Sequence, residues 1–499
     1  MTSSTLRPLV APVVLLGPPG AGKSTVGRRL AARLGFAYVD LDDRVGMGHL
    51  VQGGLADFRV REHAALGEVM ALGAVVIAAG AGVVDTGPAR ERLARCCCVA
   101  LDVNVDTALE RIPDGTRPWL PDRAAGEPAR RAAWLAREAG RAAHRAALAG
   151  DRVVDARGDA DASVDAAERA VRAARIGCEP VDEVGDARQP IDGFVVADAG
   201  VAARLPRVDH VVVEAARKDA AHLFSLLAAL SRGGVGRHGR VVIVGGGALL
   251  DVGGLATALH HRGTPWVAVP TTLLAMVDAA LGGKTAVDVD VDGAVVRNGA
   301  GAFHPPVRAV LDPRFLATLS PAQLRHGRAE MLKHALLHGD EADIATAVDG
   351  ALDDVAIART RGIKRFVVTR DPQEAWLRMA LNLGHTFAHA LESRLGIPHG
   401  DSVLHGLRAA LEASVAVAGL DAAFAHDARA HVRRLSPPPL PALADDDVDA
   451  LLRAMRRDKK AHGGLRLVLL AGVGQPVLAD VDETVVRAAL RGAGGPDAV

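Results

Sequence analysis

This chain lacks net charge, has few cysteines and contains no long hydrophobic run. Lys+Arg and Asp+Glu number 59 each across 499 residues. No overall field therefore pulls it toward nucleic acid or a membrane surface, and its expected partners are small molecules. Three of the four cysteines, Cys96, Cys97 and Cys98, are consecutive in an apolar run, and Cys178 stands far off. That spacing excludes a disulfide framework and a Cys-x-x-Cys zinc pair, and suits free thiols in a reducing compartment. The longest uncharged apolar stretch, Val69 to Val84, is interrupted by Gly73, Gly80 and Gly82. It falls short of the roughly 20 residues a membrane span needs. The apolar Leu9 to Leu16 runs straight into a glycine-rich loop with no small-residue cleavage site, so it reads as a buried first strand rather than a leader. A cytoplasmic protein is expected.

What is present is hydrophobic enough, at 49%, to bury several cores. A prior of roughly 150 residues per domain gives about three folding units. The expected class is α/β. Val13–Leu16, Val75–Ala79 and Cys97–Leu101 read as parallel strands separated by helical segments, one of them Ser24–Leu34. This first unit is placed at residues 1–175. Residues 176–190, with Gly177, Pro180, Gly185 and Pro190 among mixed charges, form the expected linker. A second, Rossmann-like α/β pattern covers 191–310 through Phe194–Ala197, Val211–Val213 and Val241–Val244, and a mostly helical layer covers 311–499.

Gly17-Pro18-Pro19-Gly20-Ala21-Gly22-Lys23-Ser24-Thr25 fits G-x-x-x-x-G-K-[ST] between a strand and a helix. Glycines at 20 and 22 let backbone N–H groups approach phosphates, Lys23 neutralises their charge, and Ser24 can hold Mg²⁺. With Asp40-Leu41-Asp42, Phe58-Arg59-Val60-Arg61-Glu62, Gly80-Ala81-Gly82 and Thr116-Arg117-Pro118, the N-terminal unit resembles the shikimate kinase family. The resemblance implies a P-loop kinase domain using ATP with Mg²⁺. Asp40 would sit near the metal and Asp42 would receive the substrate hydroxyl. Arg59 would grip the substrate carboxylate and Arg117 would act from the lid. Arg141, with Arg137 as its rival, would be the second carboxylate-binding arginine. Ala81 stands where the family has glycine, and Ala142-Ala143-His144-Arg145 replaces its Pro-Leu-Tyr.

Three distant segments suit one divalent metal and one anionic substrate: Arg328-Ala329-Glu330-Met331-Leu332-Lys333, Leu381-Asn382-Leu383-Gly384-His385-Thr386-Phe387-Ala388-His389 and Leu404-His405-Gly406. One carboxylate and two imidazoles leave coordination positions open, as a catalytic zinc requires. His385 and His389 are spaced i, i+4, but Thr386 stands where a zinc protease places its glutamate, which disfavours that reading.

Together with Gly245-Gly246-Gly247, Val269-Pro270-Thr271-Thr272 and Gly282-Gly283-Lys284-Thr285, these segments resemble the 3-dehydroquinate synthase family over about residues 191–480. The resemblance implies NAD and Zn²⁺ or Co²⁺ as cofactors, with Glu330, His385 and His405 as metal ligands. Gly245, Gly246, Gly247, Asp251, Thr271, Thr272, Lys218 and Asp278 would serve the dinucleotide. Substrate contacts would come from Arg262, Asp278, Lys284, Arg297, Asn298, Lys333, Lys364, Arg378, Asn382 and Lys459 or Lys460, and His389 would relay protons. Leu250 stands where the family usually places glycine before Asp251, and must be accommodated near the cofactor. Leu407 stands where an acid usually follows the ligand His-Gly pair.

The two resemblances together imply a bifunctional enzyme of aromatic biosynthesis. Its N-terminal unit would phosphorylate the 3-hydroxyl of shikimate, and its C-terminal unit would convert 3-deoxy-D-arabino-heptulosonate 7-phosphate to 3-dehydroquinate and phosphate. The alternatives are another sugar-phosphate cyclase, a related metal-dependent alcohol dehydrogenase, and a kinase unit kept only as a folding module. A homodimer through the C-terminal unit is compatible with either half.

Overall fold

The computed structural model describes residues 6–46, 48–117, 119–179, 185–187, 191–205, 210–213, 217–291, 294–458 and 465–494. The chain divides into two compact units. One is Arg7–Arg175 with Thr369–Met379; the other comprises Met1–Leu6, Ile176–Val368 and Ala380–Val499.

The smaller unit is built on five parallel strands in the spatial order Ala37–Asp40, Val75–Ala78, Val13–Leu16, Cys97–Asp102, Val153–Asp155. Val13–Leu16 lies at the centre, with Val13 paired to Val76 on one side and Cys97 on the other. A strand flanked on both edges and covered on both faces has no solvent face, which is why it is an unbroken apolar run. The cysteines belong to this core. Burial pushes the Cys97 and Cys98 thiols up to about 11 and about 12, so they stay protonated and unreactive. The segment Thr369–Met379 also clusters with this unit: Trp376 donates its indole N–H to the Pro8 carbonyl at 3.0 Å and meets Phe36 edge-on. Sequence periodicity gave no sign of this excursion out of the helical layer.

In the larger unit a second parallel sheet runs Arg308–Ala309, Trp266–Pro270, Val241–Gly245, Phe194–Asp198, His210–Val213. The antiparallel pair Lys284–Val291 and Ala294–Phe303 follows. Helices then dominate from Pro321–His338 to Glu483–Gly494. They are interrupted by an antiparallel hairpin, Leu465–Gly472 with Gln475–Val481, that the helical expectation for this region missed. The expected linker is not a solvated tether in its described parts. The Glu179 N–H reaches the Gly362 carbonyl at 3.0 Å, Gly185 the Leu311 carbonyl at 2.9 Å, and Ala187 the Asp312 carboxylate at 3.1 Å. Among the described residues no helix is long and apolar enough to cross a membrane.

Two helices of this layer, His385–Leu395 and His399–Ala413, touch backbone to backbone. A Cβ on Gly406 would lie 2.2 Å from the Gly384 carbonyl oxygen, and Gly384 itself takes φ +76° just before its helix begins. Only glycine allows this approach. Gly406→Ala should therefore lower the stability of the C-terminal unit by about 1–3 kcal/mol. Scanning calorimetry of the full chain should show its transition moving down, with the kinase unit's transition in place.

Candidate functional site

The helix Pro321–His338 starts from a capping box in which the Ser320 hydroxyl and the Gln323 side chain satisfy each other's backbone N–H groups. It carries Glu330 into the interior, where the residue is 1% exposed. His385 and His399 are each the first residue of a helix, and both direct Nε2 at the same carboxylate oxygen, Glu330 Oε1, from 3.3 Å and 3.5 Å. Their other ring nitrogens are held. His385 Nδ1 faces the Leu383 carbonyl at 3.2 Å and His399 Nδ1 faces Glu392 at 3.3 Å. Carbonyl and carboxylate partners of this kind fix ring orientation in metal-binding histidines. Glu330, His385 and His399 offer three ligand atoms within 4.8 Å of one another.

Lys333, one turn along, approaches Glu330 Oε2 at 2.5 Å. Burial alone would raise the Glu330 carboxyl, but Lys333 and His385 outweigh it and hold the group well below the usual carboxylate range. Burial, reinforced by Lys333, brings His385 down to about 4, so it is a neutral donor at physiological pH. His399 behaves oppositely: burial opposes its charge, yet Glu330 and Glu392 raise it to about 9. The residues fit a divalent metal. Neither Glu330 oxygen has a well-directed hydrogen bond although both are fully buried, and one carboxylate with two imidazoles is a donor set for a catalytic zinc-like ion.

The second imidazole of the group is His399, not His405. His405 is on the same helix, but its Nε2 meets the Pro438 carbonyl at 2.9 Å, and it does not join the ligand group. The helix His399–Ala413 holds two His-Gly pairs six residues apart, and the acid expected after the ligand pair follows the first of them. Asp401 follows His399-Gly400 and is buried against Arg325 Nε at 2.7 Å and His326 at 3.2 Å. Leu407, read as a departure, is an ordinary core residue.

Beside this group, Asp278 sits on one turn of π-helix, Ala275–Ala279. Lys364 binds its carboxylate and its carbonyl, each at 2.7 Å, while Lys333 stands 3.9 Å and His334 3.3 Å away. Burial opposes the Asp278 charge, but Lys364 and Lys333 hold it well below the usual range. Buried ammonium groups thus alternate with carboxylates, a cradle in which an anionic substrate can exchange partners. His389 meets the His385 ring edge-on at 5.7 Å. Asn382 ends the short helix Leu377–Asn382 that leads into Gly384. His334 and Glu392 were not anticipated.

Other expected residues stand elsewhere. Arg297 reaches Glu392 at 3.4 Å and Asp288 at 3.5 Å, and so touches the carboxylate behind His399. Lys284 is exposed at the start of its strand. Arg262 lies in an exposed left-handed turn with φ +62°, and no described contact joins it to the Glu330 group. Arg378 is buried within Thr369–Met379, donating to the Pro372 carbonyl at 2.6 Å. Lys459 and Lys460 lie outside the described residues.

At the dinucleotide turn, Val241–Gly245 runs through Gly246 into the helix Gly247–Leu259, a strand-to-helix junction whose free N–H groups favour a pyrophosphate. Thr271 donates its N–H to the Gly245 carbonyl at 3.0 Å, and a Cβ on Gly246 would touch Thr272. Lys218 pairs with Asp251 at 2.6 Å and also contacts Asn298. Leu250 is 1% exposed, within the hydrophobic core cluster of this unit.

In the smaller unit the glycine-rich loop has Gly20 and Gly22 at φ +85° and +83°. Lys23 Nζ donates to the Gly17 and Pro18 carbonyls at 2.9 Å and 3.1 Å. Burial draws its ammonium down to about 8. Ser24 donates to Asp40 at 2.6 Å, and Thr25 is exposed beside it. Arg117 stands 3.7 Å from Asp42. Gly80 and Gly82 leave room for side-chain ends: a Cβ on the first would meet Asp42 Oδ1 at 2.5 Å, and on the second would overlap the Arg59 guanidinium. Ala81 lines the same pocket.

Arg141 is not a free cation. Asp85 grips it in a two-pronged contact at 2.5 Å and 2.7 Å, and Glu138 lies 3.5 Å away. Arg137, stacked over Trp119 at 5.6 Å, has no carboxylate at ion-pair distance among the described residues.

Two substitutions separate the histidines. His399→Ala should abolish retention of one equivalent of zinc after dialysis, measured by atomic emission, whereas His405→Ala should retain it. Glu392→Gln should weaken zinc about 10–100-fold in a chelator competition, because it removes the carboxylate that orients His399.

Comparisons with known proteins bear on the family of each unit. Residues 210–326 and 327–461 match the family models 3-dehydroquinate synthase N-terminal and C-terminal, and residues 19–166 match shikimate kinase. The 3-dehydroquinate synthase of Nitrobacter winogradskyi is 39% identical over 275 residues, 50% of this chain and 70% of that protein. That of Bordetella pertussis is 37% identical over 288 residues, 55% and 78% respectively. Among solved structures, 2-epi-5-epi-valiolone synthase from Streptomyces hygroscopicus, with NAD⁺ and Zn²⁺ bound, aligns with a TM-score of 0.53 at 27% identity, over 60% of this chain and 90% of that one. The chain belongs to the 3-dehydroquinate synthase family, fused behind a shikimate kinase domain.

Proposed function

We infer that the chain is a bifunctional enzyme of the shikimate pathway, an ATP-dependent shikimate kinase joined to an NAD- and metal-dependent 3-dehydroquinate synthase. The observation that carries the second activity is the convergence of Glu330, His385 and His399 beside Lys333, Lys364 and Asp278.

In the synthase unit, Glu330, His385 and His399 hold the metal, and the Gly245–Gly247 turn with Thr271 and Thr272 receives the dinucleotide. When bound, the metal polarises the substrate hydroxyl and NAD⁺ serves as a temporary hydride acceptor, with no net redox change. Lys333 and Lys364 exchange Asp278 and Glu330 for the substrate's anionic groups. His389, against the His385 ring, takes the proton released from that hydroxyl.

In the kinase unit, the loop N–H groups and Lys23 receive the phosphates, and Ser24 with Asp40 holds Mg²⁺. Asp42 accepts the proton of the attacking 3-hydroxyl as its oxygen bonds to the γ-phosphorus and the bond to the leaving oxygen breaks. Arg117 neutralises charge on the transferring group. Arg59 and Arg137 are the guanidinium groups facing the substrate carboxylate.

Each activity should fail separately. Glu330→Ala should lower phosphate release from 3-deoxy-D-arabino-heptulosonate 7-phosphate by at least about 10³-fold while leaving shikimate-dependent ADP release intact; Lys23→Ala should do the reverse. Phosphate release from sedoheptulose 7-phosphate instead, or net NADH accumulation, would identify another cyclase or a dehydrogenase.

The kinase should also respond to pH. Lys23 binds phosphate when protonated, and its value of about 8 lies within reach of ordinary buffers. Nucleotide affinity, read by displacement of a fluorescent ATP analogue, should weaken as pH rises through about 8. Lys23→Arg, which stays charged, should show a flatter profile; equal profiles would exclude Lys23 as the titrating group.

A further inference from the structure

Two arginines that line the kinase pocket are already paired with a carboxylate of the chain. Asp85 lies on the short turn Val83–Asp85 that follows Gly82. Its Oδ2 is 3.0 Å from Arg59 NH2 and 2.5 Å from Arg141 NH2, and its Oδ1 accepts from Arg141 Nε at 2.7 Å. Arg59 is further engaged through NH1 by Glu62 at 2.6 Å. The guanidinium expected to grip the substrate carboxylate is thus claimed on both terminal nitrogens by acids of the chain itself. Arg59 and Arg141 line the pocket with Arg137, Gly80, Ala81 and Gly82, and the space left there is about 60 Å³.

The two acids differ. Glu62 is 3% exposed and cannot leave Arg59 without stranding a buried charge, whereas Asp85 is 30% exposed and lies at the end of a short surface turn. If Asp85 rotates toward solvent, Arg59 NH2 is released and Arg141 keeps Glu138. Arg137, already unpaired by any described carboxylate, supplies the second prong.

We propose that Asp85 is a resident counter-ion that competes with the substrate's carboxylate for Arg59, and so sets the affinity and charge selectivity of the kinase unit. The proposal rests on the reading of that unit as a shikimate kinase. Binding exchanges one carboxylate for another and requires no bond-making step. The competing possibility is that Asp85 only positions Arg59, and the two roles predict opposite signs.

The test uses the full chain with Asp85→Asn, which keeps the shape and one acceptor oxygen while removing the charge, and Asp85→Thr as a second variant. Calorimetric Kd values for shikimate and for its uncharged carboxamide are measured in the presence of a non-hydrolysable ATP analogue, alongside KM from ADP release. Asp85→Asn should tighten shikimate about tenfold, equivalent to about 1.4 kcal/mol, and should raise the preference for shikimate over the carboxamide by a similar factor. Asp85→Thr should move both in the same direction. A Kd that is unchanged or weaker in the folded Asn variant, or an unchanged carboxylate-to-carboxamide ratio, overturns the proposal while leaving the kinase reading intact. Tighter shikimate binding without ADP release in any form supports the proposal and sinks the kinase activity. No binding of either compound by any of the three proteins overturns both.

Discussion

A fully buried carboxylate is the constraint on which the C-terminal unit depends. Glu330 is almost inaccessible, and an uncompensated charge in that position costs several kcal/mol. Lys333 compensates one oxygen, and two imidazole nitrogens from separate helices converge on the other. Each helix must therefore be delivered to a fixed place. The glycine-to-glycine approach at Gly384 and Gly406 brings His385 and His399 together at the starts of adjacent helices. At a helix start the axial dipole disfavours imidazolium. His385 follows that preference and is neutral, whereas His399 is overridden by Glu330 and Glu392.

The substrate region of the kinase unit meets a related problem by another means. Arg59, Arg141 and Arg145 are interleaved with Glu62, Asp85 and Glu138, so the cations needed for an anionic substrate are stored as internal ion pairs. Glycine again makes the packing feasible, since the Arg59 guanidinium lies directly on Gly82. Lys333 and Lys364 are stored against Glu330 and Asp278 in the same manner. In both units cations are paired with the chain's own carboxylates.

Much of this was legible in the sequence where one segment carries its own context. The glycine-rich loop between a strand and a helix, the helical spacing of Glu330 and Lys333, and the apolar strands all fold as their patterns imply. What failed were choices between near-equal neighbours and contacts made across the sequence. His399 and His405 both precede glycine, and only the following acid, Asp401, separates them. Arg137 and Arg141 are four residues apart, and Asp85, more than fifty residues away, decides which is engaged. The docking of Trp376 against Phe36 and Pro8 joins segments over three hundred residues apart, and no local periodicity encodes it.

The most direct measurement of the central claim is anomalous diffraction at the zinc edge from crystals of the metal-loaded full chain. A single strong peak bonded to a Glu330 oxygen and to Nε2 of His385 and His399, with His405 still against the Pro438 carbonyl, is the predicted result. A peak coordinated by His405, or zinc bound away from Glu330, would contradict it.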